Sequence, residues 1–168
     1  EKPYFEFLKA CGGKFMSVDF AIKSVPACLR VAERLADKYD VTLGIHNHGG
    51  PHWLGNATAL DWIFGQSSER IGLWMDTAWA LDARENPVAM AERFGKRLHG
   101  LHIKDFIFDR ARKPEDVVVG TGNVDLPGLF KACDKAGFTG YSVLEYEGDV
   151  DNPVPALAKC VKAVQAAY

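Results

Sequence analysis

The feature that most constrains this chain is a strict alternation of two kinds of segment. Five short apolar runs rich in β-formers, Lys14–Val18, Val41–His48, Ile71–Asp76, Leu98–Lys104 and Tyr141–Glu147, are separated by stretches that start like helices. Near-continuous apolar runs mark strands covered on both faces. Their alternation with helices argues for parallel βαβ units. The helix starts are written in side chains. Ser24 ahead of Val25-Pro26, Asn86-Pro87, Asp125 with Pro127, and Asn152-Pro153 each put a capping group before an early proline. Such a side chain accepts a bond from an unpaired first-turn N–H, and proline has none to waste there. The spacing predicts helices over about 25–38, 58–65, 87–95, 126–136 and 153–166, with Gly137 closing the fourth. Pro3 to Cys11 reads as the end of a further helix.

Two α/β architectures fit. One is a five-stranded doubly wound sheet. The other is five consecutive units of an eight-unit (β/α) barrel, which usually needs about 250 residues. Both place chemistry at the carboxyl ends of the strands. Twenty basic against 22 acidic residues give a net charge of −2, which argues against a nucleic-acid groove or an anionic membrane surface as partner. No apolar run is long enough to span a bilayer, and no signal peptide is visible. Cys11, Cys28, Cys133 and Cys160 are far apart with no C-x-x-C pair, and the last three fall in apolar helical stretches. That suits small buried hydrophobes in a reducing compartment, so a cytoplasmic location is expected.

Four of the five strands end in metal-binding side chains. The second ends Gly44-Ile45-His46-Asn47-His48, the third Met75-Asp76-Thr77, the fourth His102-Ile103-Lys104-Asp105 and the fifth Glu145-Tyr146-Glu147. Parallel strands gather these ends at one rim. His46 and His48 are two apart and point the same way, as do His102 and Lys104, and Glu145 and Glu147. One imidazole is more often a structural group, and one aspartate can cap a turn. Four such ends in register point to one divalent cation. Imidazole with carboxylate suits Mn, Zn, Co, Fe or Mg and does not choose among them.

The segments TLGIHNHGG, RIGLWMDTAW, LHGLHIKDF, VVVGTGNVDLPGLF and YSVLEYEG, in this order and spacing, resemble the xylose isomerase-like, sugar phosphate isomerase/epimerase family of TIM barrels. The family is related more distantly to endonuclease IV. The resemblance runs from Val41 to the end of the chain and implies a (β/α)8 barrel. Residues 1–168 would be one partial domain carrying about strands 4–8. It also implies one divalent metal on four successive strands, at His46, Asp76, His102 and Glu145. An open barrel end exposes strand edges. Closure is therefore expected either from an N-terminal portion or from another chain, which makes a homo-oligomer a possible partner state.

Two departures from the family pattern matter. His46 stands where the family usually has a glutamate, and metal-bound glutamates there form the opposed acid/base pair of epimerases. His48 shares its face and is a second candidate for the same position. The aspartate strand continues Asp76-Thr77-Ala78-Trp79 rather than Asp-Thr-Gly-His, so Trp79 either stacks on a sugar face or packs a loop. Lys104 is a donor to substrate or a solvated surface lysine. Glu147 binds substrate or pairs with Lys104. The Gly120-Thr121-Gly122 loop offers backbone N–H groups to substrate oxygen, or is only a tight turn. His52 and Trp53 are candidates for one pocket wall, and His99 alternates away from His102 as a structural residue.

The expected function is a metal-dependent isomerase or epimerase acting on a small carbohydrate or keto-sugar through an enediolate. Glu145 is the candidate base, with His48 and Lys104 as further catalytic candidates. His48, Trp79, Lys104 and Glu147 are the substrate-binding candidates. With one carboxylate lost, a sugar lyase or dehydratase of the same fold is the alternative, as is a non-catalytic carbohydrate-binding barrel. Phosphodiester chemistry of the endonuclease IV kind lacks a basic groove.

Overall fold

The computed structural model describes residues 1–168. In chain order the elements are α1 (Lys2–Ala10), β1 (Phe15–Val18), α2 (Ala27–Tyr39), β2 (Thr42–His46), α3 (Ala57–Phe64), β3 (Ile71–Asp76), α4 (Thr77–Asp82), α5 (Pro87–Phe94), β4 (Leu98–Ile103), β5 (Asp105–Phe108), β6 (Pro114–Val117), α6 (Leu126–Ala136), β7 (Tyr141–Leu144) and α7 (Val154–Ala167). Five strands form one sheet in the order β1-β2-β3-β4-β7, every pair parallel. A doubly wound sheet reverses its strand order at a switch point. This one never does, so the barrel reading holds: each strand adds beside the one before it. The sheet also curls. Phe15 and Tyr141, on its two edge strands, meet edge to face at 5.3 Å between ring centroids.

The alternation of side chains along each strand separates two faces. Leu43, Ile45, Leu73, Met75, Leu101 and Ile103 point to the convex face and are at most 1% exposed in the core. The concave face carries Gly44, His46, Trp74, Gly100 and His102. Trp74 lies between the two glycines, and a Cβ on Gly44 or Gly100 would approach its side chain to 2.8 and 2.5 Å. Its indole in turn lies 5.7 Å from the His102 ring, beneath the strand ends.

Asn86 caps α5 through Val88 N and Ala89 N, and Asp125 caps α6 through Gly128 N, as the sequence predicts. Gly137 closes α6 at φ 70° in the left-handed region. Ser24 and Asn152 do not cap. Ser24 ends a short 3-10 turn and Pro26 takes the position before α2, as Pro153 does before α7. Two elements escape the apolar-run signal. One is α4, which begins directly at the end of β3. The other is the antiparallel β5–β6 hairpin, whose strand Pro-Glu-Asp-Val has no apolar pattern. The last strand stops at Leu144, so Glu145 and Glu147 stand in the loop beyond it. Cys133 and Cys160 are buried, Cys28 is half-buried and Cys11 is exposed; none is paired. Burial pushes the Cys133 thiol up to about 11. No helix is long and apolar enough to cross a membrane.

Candidate metal centre

The register of β2, β3, β4 and β7 brings four side chains to one point. His46 ends β2, Asp76 ends β3, His102 lies one residue before the end of β4, and Glu145 follows β7. One donor atom from each lies within 4.8 Å of all the others. His46 Nε2 is 3.6 Å from Asp76 Oδ2 and 3.1 Å from His102 Nδ1, and His102 Nδ1 is 2.7 Å from Glu145 Oε2. A tetrahedral shell with bonds near 2.1 Å has donor–donor edges of about 3.4 Å, so these spacings bracket what one cation needs.

Asp76 carries the sharpest test of fit. Its Oδ1 accepts from Ala78 N and Trp79 N, both at 2.9 Å, and so caps α4. The backbone of Asp76 is gripped by Asn47, whose amide accepts from Asp76 N at 2.8 Å and donates to its carbonyl at 3.1 Å. Both residues are fully buried. Yet Asp76 Oδ2, aimed at the His46 imidazole, is buried with no hydrogen-bond partner. A buried carboxylate oxygen left unpaired is expensive unless a charge answers it. The donor set of two imidazoles and two carboxylates suits a divalent ion.

Lys104 is not a surface lysine. It is 1% exposed. Its Nζ donates to Glu145 Oε1 at 2.8 Å and to Glu147, and approaches Asp116 Oδ2 at 3.3 Å. Burial opposes its charge, but bonds to Glu145 and Glu147 more than reverse this and raise its pKa. The His102 bond, helped by Lys104 against a burial penalty, holds the Glu145 carboxyl down at about 2. A depressed folded-state value stabilises above the unfolded value, and that contribution is lost as pH falls through the folded one. The stability of the metal-free protein relative to Glu145→Gln should therefore be constant above about pH 4.5 and shrink towards pH 2. Urea unfolding of both proteins across this range reads the difference; a flat difference would contradict the pairing.

The neighbours sort as follows. His48 stands beside His46, with 4.4 Å between ring centroids, and burial, reinforced by His46 and His52, pushes its imidazole below the ordinary value. His48, Gly49, Pro51, His52 and Trp79 line an open cavity of about 570 Å³. Trp79 meets Phe106 edge to face at 5.0 Å and faces the His48 ring at 6.0 Å. His52 contacts Asp19 at 3.3 Å. Trp53 turns away and donates to Phe20 O at 2.8 Å, so it is no pocket wall. His99 contacts Leu43 O at 3.0 Å, remote from the centre as its alternation requires.

The Gly120-Thr121-Gly122 loop does not offer its N–H groups to a ligand. Gly120 N and Gly122 N donate to Asp105 Oδ2 at 3.0 and 2.9 Å, and Asn123 N and Val124 N donate to Oδ1 at 2.8 and 3.0 Å. Asn47, Asp105 and Asp116 are absent from the residues singled out in sequence. Only their positions beside HNH and HIK, and on a short polar strand, hint at them.

Comparison with known proteins agrees with this architecture. The family described as xylose isomerase-like TIM barrel matches residues 12–165. The rhizopine catabolism protein MocC of Rhizobium meliloti is 30% identical over 139 residues, 74% of this chain and 42% of that protein. An inosose dehydratase of Clostridium beijerinckii is 23% identical, over 92% of this chain and 57% of its own length. The chain thus spans about half the length of these relatives. The crystal structure of the IolI protein with a bound zinc atom superposes with a TM-score of 0.81 at 20% identity, over 99% of this chain and 66% of that one. With a profile match over nearly its whole length and a sheet that winds in barrel order, this chain belongs to the xylose isomerase-like TIM barrel family.

Proposed function

We propose that this chain carries the metal centre of an enzyme that removes the proton beside the ketone of a neutral polyol, with loss of water as the favoured outcome. The observation that carries the reading is the convergence of His46, Asp76, His102 and Glu145 around a buried, unpartnered Asp76 oxygen. The relatives named as inosose dehydratases supply the substrate class. The IolI structure with bound zinc supports a divalent ion. A divalent ion in that position polarises a ketone and acidifies the adjacent C–H.

The residues divide the remaining work. His48 lies beside His46 at one end of the run of contacts His48, His46, His102, Glu145, and Glu145 ends it on the other strand edge of the centre. Glu145 takes the proton from carbon on the free lone pair of Oε1, the oxygen that also accepts from Lys104, while Oε2 faces the cation site. If that proton goes to the hydroxyl on the next carbon, the C–O bond breaks and water leaves, and one base suffices. Epimerisation needs a second group to return a proton from the far side. With His46 in place of a carboxylate, His48 is the group left to take that role in this reading. Trp79 and His48 form a wall for the polyol, while Lys104 and Glu147 anchor the glutamate and its loop.

Incubation of the Mn²⁺-loaded protein in D₂O with inososes and ketohexoses, followed by ¹H NMR and ultraviolet absorbance, tests this. Loss of the proton beside the ketone and growth of a conjugated product are expected for an inosose. Metal-loaded protein that gives neither signal with any of these ketones would refute the enzymatic reading.

A further inference from the structure

Asp116 belongs to none of the strands that hold the centre. It sits on β6, the second strand of the hairpin that follows β4, and its side chain is 11% exposed. Asp116 Oδ2 approaches the Lys104 ammonium at 3.3 Å and accepts from the backbone N–H of Glu147 at 3.2 Å. One oxygen therefore ties the hairpin to both the end of β4 and the loop that carries Glu145.

The Lys104 ammonium fixes Glu145 Oε1 at 2.8 Å, whereas Oε2 is the oxygen beside His102 Nδ1 at 2.7 Å. Only Oε2 is thus presented to the centre. The backbone of Lys104 is itself clamped: its N–H donates to Thr77 Oγ1 at 3.0 Å, and that hydroxyl donates to its carbonyl at 2.5 Å. The long flexible side chain beyond this clamp still needs a fixed end. Glu147 also accepts from the ammonium, but it is 63% exposed and lies in the same loop as Glu145, so it adds no anchor from outside that loop. Asp116, mostly buried and on a separate element, supplies the third point.

Resting on the metal-centre reading above, we propose that Asp116 is a positioning residue: from the β5–β6 hairpin it holds Lys104 where its ammonium occupies one oxygen of Glu145 and leaves the other for the cation. The hairpin is then part of the site's support rather than a surface excursion. Groups that orient a ligand commonly matter tenfold or more in metal affinity.

The test uses Co²⁺ as probe, with affinity from titration and geometry from the visible absorption of the bound ion. Asp116→Asn keeps the shape and removes the charge. It should weaken Co²⁺ binding about tenfold and alter the spectrum, with little change in the urea midpoint of the metal-free protein. Lys104→Gln should do the same, and the double variant should be no weaker than Lys104→Gln alone, since both act through one tether. Glu115→Gln, on the same strand but exposed, should leave affinity and spectrum unchanged. The proposal is overturned if Asp116→Asn binds Co²⁺ with wild-type affinity and spectrum, if the two losses add, or if Glu115→Gln loses as much. Should Asp116→Asn fail to fold, unchanged Co²⁺ affinity in Lys104→Gln overturns it equally. Wild-type protein that binds no Co²⁺ would instead remove the metal centre itself, and this inference with it.

Discussion

Asp76→Asn should lose the metal and keep the fold, and Asp76→Ala should lose both the metal and part of the stability. The two oxygens of Asp76 serve separate ends. Oδ1 caps α4 through two N–H bonds at 2.9 Å, and an asparagine carbonyl oxygen can accept those same bonds. Oδ2 has no hydrogen-bond partner and faces the His46 imidazole at 3.6 Å. The amide substituted there carries no charge for a cation. Affinity for Mn²⁺ or Co²⁺ should fall by at least about 100-fold, and proton exchange with it. The alanine variant further strips the cap and should cost about 1–2 kcal/mol relative to asparagine. Metal-free Asp76→Asn should be no less stable than metal-free wild type, because it removes a buried carboxylate oxygen that nothing in the protein answers. Elemental analysis and urea unfolding with and without chelator separate these effects. Full metal occupancy in Asp76→Asn would remove Asp76 from the centre.

The part of this legible in sequence is the part written at strand ends. Parallel strands in sequential order place every C-terminal residue on one rim, so an apolar run ending in His or Asp announces both the fold and the rim. Those endings place His46, Asp76 and His102, and the same reasoning reaches Glu145 although the strand stops one residue short of it. What the sequence hides is which polar groups are already occupied. Lys104 reads equally as a ligand donor or a solvated charge until the carboxylates around it are seen. The Gly120–Gly122 loop reads either as an N–H cradle or as a tight turn, and a carboxylate 15 residues before Gly120 takes up its N–H groups. Long-range pairing of this sort leaves no periodic trace. Cap chemistry fails similarly where backbone geometry intervenes. Ser24 has the right side chain, but it ends a 3-10 turn and Pro26 takes the cap position of α2.

Asp105 should prove the most stabilising single side chain outside the apolar core, and its removal should disturb the centre from a distance. It is fully buried, and its carboxylate accepts four backbone N–H groups from residues 120–124. Each is a charge-assisted bond, and the donors of Gly120, Gly122 and Val124 are left without their acceptor when the side chain is cut, whereas Asn123 N keeps Phe106 O at 3.0 Å. The loop can partly relax towards water, so the full sum is not expected. A loss of about 4 kcal/mol for Asp105→Ala is reasonable. Against a total stability of roughly 5–15 kcal/mol for an ordinary domain, that is severe. Asp105→Asn is nearly as costly, because its NH₂ group must point at two donors where an acceptor stood. Amide exchange at Gly122 and Val124 should accelerate in both variants well beyond the change at Leu73 or Leu101 in the sheet. Asp105 also opens β5 directly after Lys104, and Gly120 is the third residue after β6. Loosening the loop therefore loosens the hairpin that carries Asp116, and Co²⁺ affinity should fall alongside stability. A loss below about 1 kcal/mol would mean that water replaces the carboxylate at little cost. In that case the hairpin would have to be held chiefly by its own strand pairing.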